Sequence, residues 1–258
     1  MAWYTAVFLG LLQGLAEFLP ISSSGHLLLF ENWFGIQNGG RLLTLTLHLA
    51  TLLAVVIIYR QRLWLLIRHP WNRETLALVI ATITTCAFVV IFHNSIDRLF
   101  TVAILPFAFI ATGIYLFLPT VFRSRKATNL PRQLSCPTWW QALVVGCAQG
   151  IAVVPGLSRS GFTITTGRLI GMTFTESTDF SFIMSIPIIV ASFVYEFFQG
   201  GSMQTLGFGN IVLAFVTAFV VGVVAIKTMQ NLMRKIDLRW FSVYLWLLGV
   251  GLLLLNLL

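Results

Sequence analysis

Three stretches of this chain, Leu99 to Phe122, Phe197 to Ile226 and Trp240 to Leu258, contain no charged side chain. Each suffices for a helix across a bilayer core, which takes roughly 20 apolar residues. A single cleavable leader does not account for so many such runs, so lipid is the solvent of this fold. Composition agrees: 58% of the 258 residues are hydrophobic, 9% are charged, and mean hydropathy is +0.91, outside the range of soluble domains. The net charge of +8 would admit a nucleic-acid partner. The basic residues, however, fall in short segments between apolar runs, where they orient membrane proteins, and no nucleic acid is expected. Cys86, Cys136 and Cys147 show no metal-ligand spacing and imply no disulfide framework.

The apolar pattern predicts an all-α membrane protein with six transmembrane helices, Leu42 to Tyr59, Thr75 to Phe92, Leu99 to Pro119, Phe180 to Phe198, Phe208 to Lys227 and Trp240 to Leu258. Each group of three is preceded by an apolar stretch that is broken in the middle. Trp3 to Phe34 is interrupted at Pro20-Ile-Ser-Ser-Ser-Gly25, and Trp139 to Met172 at Pro155-Gly-Leu-Ser-Arg-Ser-Gly161. Neither half is long enough to cross alone, so both read as re-entrant helical hairpins, whose irregular backbone survives only inside protein or a wet cavity. The two are also alike. At a constant offset of 136, Gly10, Gln13, Gly14, Ala16, Ser22, Ser24 and Gly25 meet identical residues, seven of 16 positions. Three spans separate the units, an odd number, so the second sits inverted and the hairpin tips meet near the midplane. The expected organisation is one membrane domain, 1–258, with repeat one at 1–121, a linker at 122–138 and repeat two at 139–258.

Charge sets the orientation. Arg60, Arg62, Arg68, Arg73, Arg123, Arg125, Lys126, Arg132, Lys227, Arg234, Lys235 and Arg239 fall on one side in this topology, against Arg41 and Arg98 on the other. The first side is therefore cytoplasmic and both termini lie outside.

Ionisable groups at membrane depth are costly, and each is a functional candidate. Gln13 and Glu17, four residues apart, share a helical face. A carboxylate there suits a divalent cation, or a hydrogen bond from His26; the bland alternative is a Glu snorkelling to the interface. Ser22-Ser-Ser-Gly-His26 gathers three hydroxyls, a glycine and an imidazole, enough for a nucleophile with an acid or base beside it, although serine and glycine are also ordinary loop formers. Ser158-Arg-Ser-Gly161 brings the guanidinium of Arg159 to membrane depth, where it requires an anion. Its fork suits a phosphate, while loop hydroxyls, backbone N–H groups and the following helix N-terminus add donors. The competing reading pairs Arg159 with Glu17 alone, as a structural clamp. Arg168 reads as interfacial, and His48 as a buried histidine bonded to nearby backbone. Glu176 and Asp179 read as helix-start carboxylates.

Gln13-Gly-Leu-Ala-Glu-Phe-Leu-Pro-Ile-Ser-Ser-Ser-Gly-His26 and Pro155-Gly-Leu-Ser-Arg-Ser-Gly-Phe-Thr-Ile164 resemble the two signature motifs of the bacterial undecaprenyl diphosphate phosphatase family, known for bacitracin resistance. The resemblance covers essentially the whole chain. It implies a hydrolase of the bacterial cytoplasmic membrane that removes the terminal phosphate of undecaprenyl diphosphate, regenerating the monophosphate carrier of peptidoglycan and other envelope polymers. Carried over, Glu17 is the metal-binding or proton-handling carboxylate and Ser23 the candidate nucleophile. His26 is its base, the leaving-group acid or itself the nucleophile. Arg159, with Ser158, Ser160 and Thr163, holds the diphosphate; Ser22, Ser24, Gly25 and Gly161 complete the substrate-binding loops. A divalent cation, Mg or Ca, is implied as cofactor. The first motif position, often Glu in the family, is Gln13 here, a weaker cation ligand that can donate a hydrogen bond instead. The site is expected to open to the outer face; a homodimer is left open.

Two other classes compete. Inverted repeats around a midplane site also suit a flippase or transporter of the lipid phosphate carrier. Ser23-Ser-Gly-His26 is similar to one element of phosphatidic-acid phosphatases, but those need a later histidine, and none follows Arg159.

Overall fold

The structure is a computed structural model that describes residues 1–36, 40–122, 136–198, 207–232 and 237–257. Among these residues there is no strand. The helices are α1 (Trp3–Ala16), α2 (Ser23–Trp33), α3 (Gly40–Ile58), α4 (Arg60–Arg68), α5 (Arg73–Arg98), α6 (Leu105–Val121), α7 (Trp139–Ile151), α8 (Arg159–Leu169), α9 (Phe174–Phe198), α10 (Phe208–Leu232) and α11 (Arg239–Leu257). A 3₁₀ turn, Val102–Ile104, leads into α6. The basic residues Arg123, Arg125, Lys126, Arg132, Arg234 and Lys235 lie outside the described residues, as do most of the expected linker and the last residue of the final span.

Among the described residues four helices are long and apolar enough to cross a membrane, and a fifth span results if α3 and α4, bent by 76°, are taken together. They contain four of the six expected spans. The Leu42 to Tyr59 span lies in α3, and the Trp240 to Leu258 span falls in α11, a shorter apolar helix. The boundaries shift for identifiable reasons. α5 continues past Phe92 to Arg98, because His93 and Asp97, one turn apart, pair at 3.1 Å. α6 then starts at Leu105 with Pro106 in its first turn, where the missing N–H costs nothing. α9 begins at Phe174, six residues before the expected Phe180. Thr173 and Glu176 bond each other's backbone N–H at 2.8 and 3.2 Å there, a reciprocal cap.

The segment from Arg60 to Arg68, expected as a charged loop, is helical. It exposes Trp64, Leu65 and Ile67, the profile of a helix lying in a membrane surface. Its other face is tied to the bundle. Arg62 bonds Glu74 at 2.5 Å and Asp179 at 3.0 Å, while the Tyr59 hydroxyl donates to Asp179 at 2.7 Å and accepts from Gln230 at 2.9 Å. Asp179 thus does more than sit at a helix start.

The two broken segments pack in equivalent ways. α1 lies along α10, and α7 along α5. A Cβ added at Gly10 would stand 2.8 Å from the Ala214 carbonyl oxygen, and one at Gly14 would stand 2.8 Å from that of Ala218. On the other pair, a Cβ at Gly146 would lie 2.6 Å from the Ala81 oxygen and one at Gly150 2.7 Å from Phe88. Both are glycine pairs four residues apart, facing two alanines on α10 and Ala81 and Phe88 on α5, the small-residue pattern that lets membrane helices approach closely. Thr85 adds a bond to the Gly146 carbonyl at 2.9 Å.

Gly146→Ala is expected to lose roughly 1–3 kcal/mol through overpacking, read as a lower thermal midpoint in detergent. Gly251→Ala, with nothing within 4 Å of the added carbon, leaves the midpoint level or raises it. Equal behaviour of the two variants would contradict the close packing.

Candidate active site

The breaks in the two apolar stretches come together at the centre of the bundle. Ser22 adopts φ 70°, a left-handed conformation rare for a side-chain-bearing residue. It caps α2 by accepting from the Gly25 N–H at 3.3 Å. Ser158 caps α8 likewise, accepting from the Gly161 N–H at 3.0 Å. Gly156, at φ +89°, turns the second loop so that its backbone abuts the first: a Cβ on Gly25 would lie 2.6 Å from the Gly156 Cα. Only glycine at both positions allows that approach. Ser160 ties the loops further by donating to the Leu19 carbonyl at 3.1 Å.

At this junction Arg159 donates to Glu17 Oε1. The carboxylate is 5% exposed, and its other oxygen, Oε2, accepts from Ser23 Oγ at 2.6 Å and Gln13 Nε2 at 3.0 Å. Gln13 also donates to Thr51 on α3 at 3.3 Å. A buried charge is tolerable only when so paired and hydrogen-bonded.

Around the pair lies a cavity of about 210 Å³. Of the residues read from the sequence, Glu17, Ser22, Ser23, Ser24, Ser158, Arg159 and Ser160 line it, whereas Gln13, Gly25, His26, Gly161 and Thr163 stand behind its wall. Thr163 is spent on the Arg159 carbonyl at 2.8 Å and Ser181 at 2.6 Å. His26 faces another way. Its Nδ1–H donates to the Ser22 carbonyl at 2.7 Å, which leaves Nε2 to accept from the Tyr244 hydroxyl at 2.7 Å. The ring stacks on Tyr244 and tilts against Phe109. The group beside the Ser23 hydroxyl is therefore Glu17.

Sequence reasoning missed several lining residues. His48 does bond backbone as expected, its Nδ1–H donating to Thr44 at 2.8 Å, yet Nε2 stands 3.8 Å from Glu17 and the ring lines the cavity. An ionisable residue in mid-span was the available signal. Gln149, the repeat partner of Gln13, is a second; the repeat itself pointed to it. Leu45, Leu49, Phe100, Ile188, Ile189 and Phe193 supply an apolar wall.

These donors do not form a protein-held cation site. Among the described residues no three His, Cys, Asp or Glu side chains gather. Glu17 has both oxygens engaged, and Gln13 presents it with an N–H donor rather than a second carboxylate. An all-protein Ca²⁺ cage takes about six to eight oxygen ligands, whereas Mg²⁺ is held by one or two carboxylates with waters and substrate phosphates.

The family model of the bacitracin resistance protein BacA matches residues 6–251. The chain is 35% identical to an undecaprenyl-diphosphatase of Carboxydothermus hydrogenoformans, over 98% of this chain and 97% of that protein. It is 34% identical to undecaprenyl-diphosphatase 1 of Shouchella clausii, over 97% and 95%. With undecaprenyl-diphosphatase 3 of Bacillus cereus identity is 31%, over 99% and 98%. Matching nearly end to end in model and relatives alike, the chain belongs to the bacitracin resistance protein BacA family.

Proposed function

We propose that this protein hydrolyses undecaprenyl diphosphate to undecaprenyl phosphate and inorganic phosphate in the bacterial cytoplasmic membrane, returning the lipid carrier to peptidoglycan and envelope-polymer synthesis. One observation carries the reading: a partly buried guanidinium and a serine hydroxyl share one buried carboxylate in a cavity lined by both polar and apolar side chains. The polar side chains suit a phosphate-bearing head and the apolar ones the first isoprene units. The relatives' names favour hydrolysis over the flippase reading.

In the mechanism we favour, the terminal phosphate takes Arg159 as a bidentate partner in place of Glu17. The hydroxyls of Ser22, Ser24, Ser158 and Ser160, with the N-terminus of α8, complete the cradle. Glu17 then accepts the proton of Ser23 as Oγ attacks the terminal phosphorus, and the lipid monophosphate leaves. Water later releases phosphate from Ser23. Arg159 stabilises the charge on the equatorial oxygens in both steps. Gln13 holds Glu17 in place, and His26 positions the Ser22–Ser23 backbone through its bond to the Ser22 carbonyl. We assign the cation, Mg or Ca, to the diphosphate oxygens of the substrate rather than to the protein.

The same reading takes α1–α2 and α7–α8 as re-entrant hairpins and α3, α5, α6, α9, α10 and α11 as six spans in an inverted repeat. The equivalent glycine packing of α1 on α10 and α7 on α5 supports it. In that topology both termini are periplasmic and the cavity opens to the outer face.

Purified protein is expected to release phosphate from undecaprenyl diphosphate. Arg159→Lys is expected to lose on the order of 10²-fold or more, because a point charge cannot replace the fork; Ser23→Ala and Glu17→Gln abolish release. Normal turnover in any of the three removes that residue from its role. A second expectation concerns stability. Arg159→Met leaves Glu17 buried without its partner and costs about 3–5 kcal/mol; adding Glu17→Gln restores most of the thermal midpoint. An equally unstable double variant would contradict the coupling.

A further inference from the structure

Gln149 ends α7 within the second broken segment and is fully buried, yet it lines the cavity beside Arg159 and Ser23. Its amide orientation is fixed by its neighbour. Thr85 has one hydroxyl proton, which goes to the carbonyl of Gly146 or Ala81, each at 2.9 Å. Toward Gln149 it can only accept, and Gln149 Nε2 donates to it at 3.2 Å. The opposite flip would set oxygen lone pairs against each other. Gln149 Oε1 is thereby left as a buried acceptor with no partner. Such a group is costly to leave unsatisfied and calls for a donor that the protein itself does not supply.

The repeat partner shows the contrast. Gln13 also leaves Oε1 unpartnered, but its Nε2 serves Glu17 and it does not line the cavity. The two glutamines occupy matching positions but differ in their surroundings: one bonds the carboxylate from behind the wall, while the other stands in the wall itself with its Oε1 unpartnered.

A donor must therefore come from the reaction mixture. Fully ionised phosphates have no protons to give, whereas water has two. We propose that Gln149 Oε1 orients the water that hydrolyses the phosphoserine at Ser23, a role that rests on the serine-nucleophile reading above. The water oxygen bonds to phosphorus as the P–Oγ bond breaks, and Ser23 Oγ regains the proton held by Glu17. Both water protons leave on the phosphate, one of them hydrogen-bonded to Gln149 until release. The amide takes up no proton, which suits a group that cannot act as a base at neutral pH.

The test uses full-length protein in detergent with undecaprenyl diphosphate labelled at the terminal phosphate, comparing wild type, Gln149→Leu and the near-isosteric Gln149→Met. Both variants are expected to lose roughly 10- to 100-fold in kcat with KM falling alongside it, so that kcat/KM is nearly preserved. Both should accumulate acid-trapped phosphate on the peptide carrying Ser23, which the wild type holds only transiently. A purely structural role would lower the thermal midpoint without trapping phosphate. Normal turnover in either folded variant, or lost turnover with no trapped phosphate, overturns the assignment of Gln149 alone. Turnover by Ser23→Ala overturns both this assignment and the serine reading on which it rests.

Discussion

The ion pair between Arg159 and Glu17 joins the two halves of the molecule, and the structure around it exists to make that pair affordable. Each charge sits where desolvation alone would exclude it. Glu17 tolerates its site because Gln13, Ser23 and Arg159 occupy both of its oxygens. Those donors come from two separately broken helices, so the breaks must touch. Contact between the Gly25 and Gly156 backbones brings them within reach. The serine caps at Ser22 and Ser158 satisfy the amides that the breaks expose. Behind them the glycine pairs on α1 and α7 hold these helices flush against α10 and α5.

Much of this centre was legible in the sequence because it breaks rules that membranes enforce. An apolar run interrupted by Pro-Ile-Ser-Ser-Ser, or by Pro-Gly-Leu-Ser-Arg-Ser, advertises backbone that lipid cannot satisfy. A guanidinium inside such a run narrows the ligand to an anion. The cavity-lining serines follow from those two facts, while the Glu17–Arg159 contact is the pairing that the competing clamp reading expected. Which side chains line the cavity was less legible: His48 read only as a backbone-bonded histidine, and Gln149 as no more than a repeat position. His48 and Gln149 lie on regular helices, and which face a membrane helix turns inward is hidden when lipid and core are equally apolar. For the same reason the glycines at 10, 14, 146 and 150 showed a repeat but not their partners on α10 and α5. α4 was hidden by its charges, since Arg60, Arg62 and Arg68 look like a loop until Trp64, Leu65 and Ile67 are placed on one surface.

The position of His26 shows where motif reasoning and geometry part. A histidine three residues after a candidate nucleophile invites the role of base. Helical geometry points it instead toward Tyr244, and its Nδ1–H is drawn to the Ser22 carbonyl. The ring thereby fixes the backbone of the loop in which Ser22 holds its left-handed conformation. A local conformation of that kind persists only when its surroundings over-determine it.

The pairing of Arg159 with Glu17 also links binding to chemistry. While the guanidinium sits on Glu17, the carboxylate is shared among three donors and the anion site is closed by the protein's own charge. In the proposed mechanism a phosphate draws Arg159 off Glu17, and a carboxylate that has lost that partner turns its demand for a proton on the nearest donor, the Ser23 hydroxyl at 2.6 Å. On that proposal the Ser23 hydroxyl is activated by arrival of the group it attacks, and is quiet otherwise. A serine released in this way answers to an anion able to draw Arg159 from a partly buried ion pair, which is differential stabilisation of one of two states.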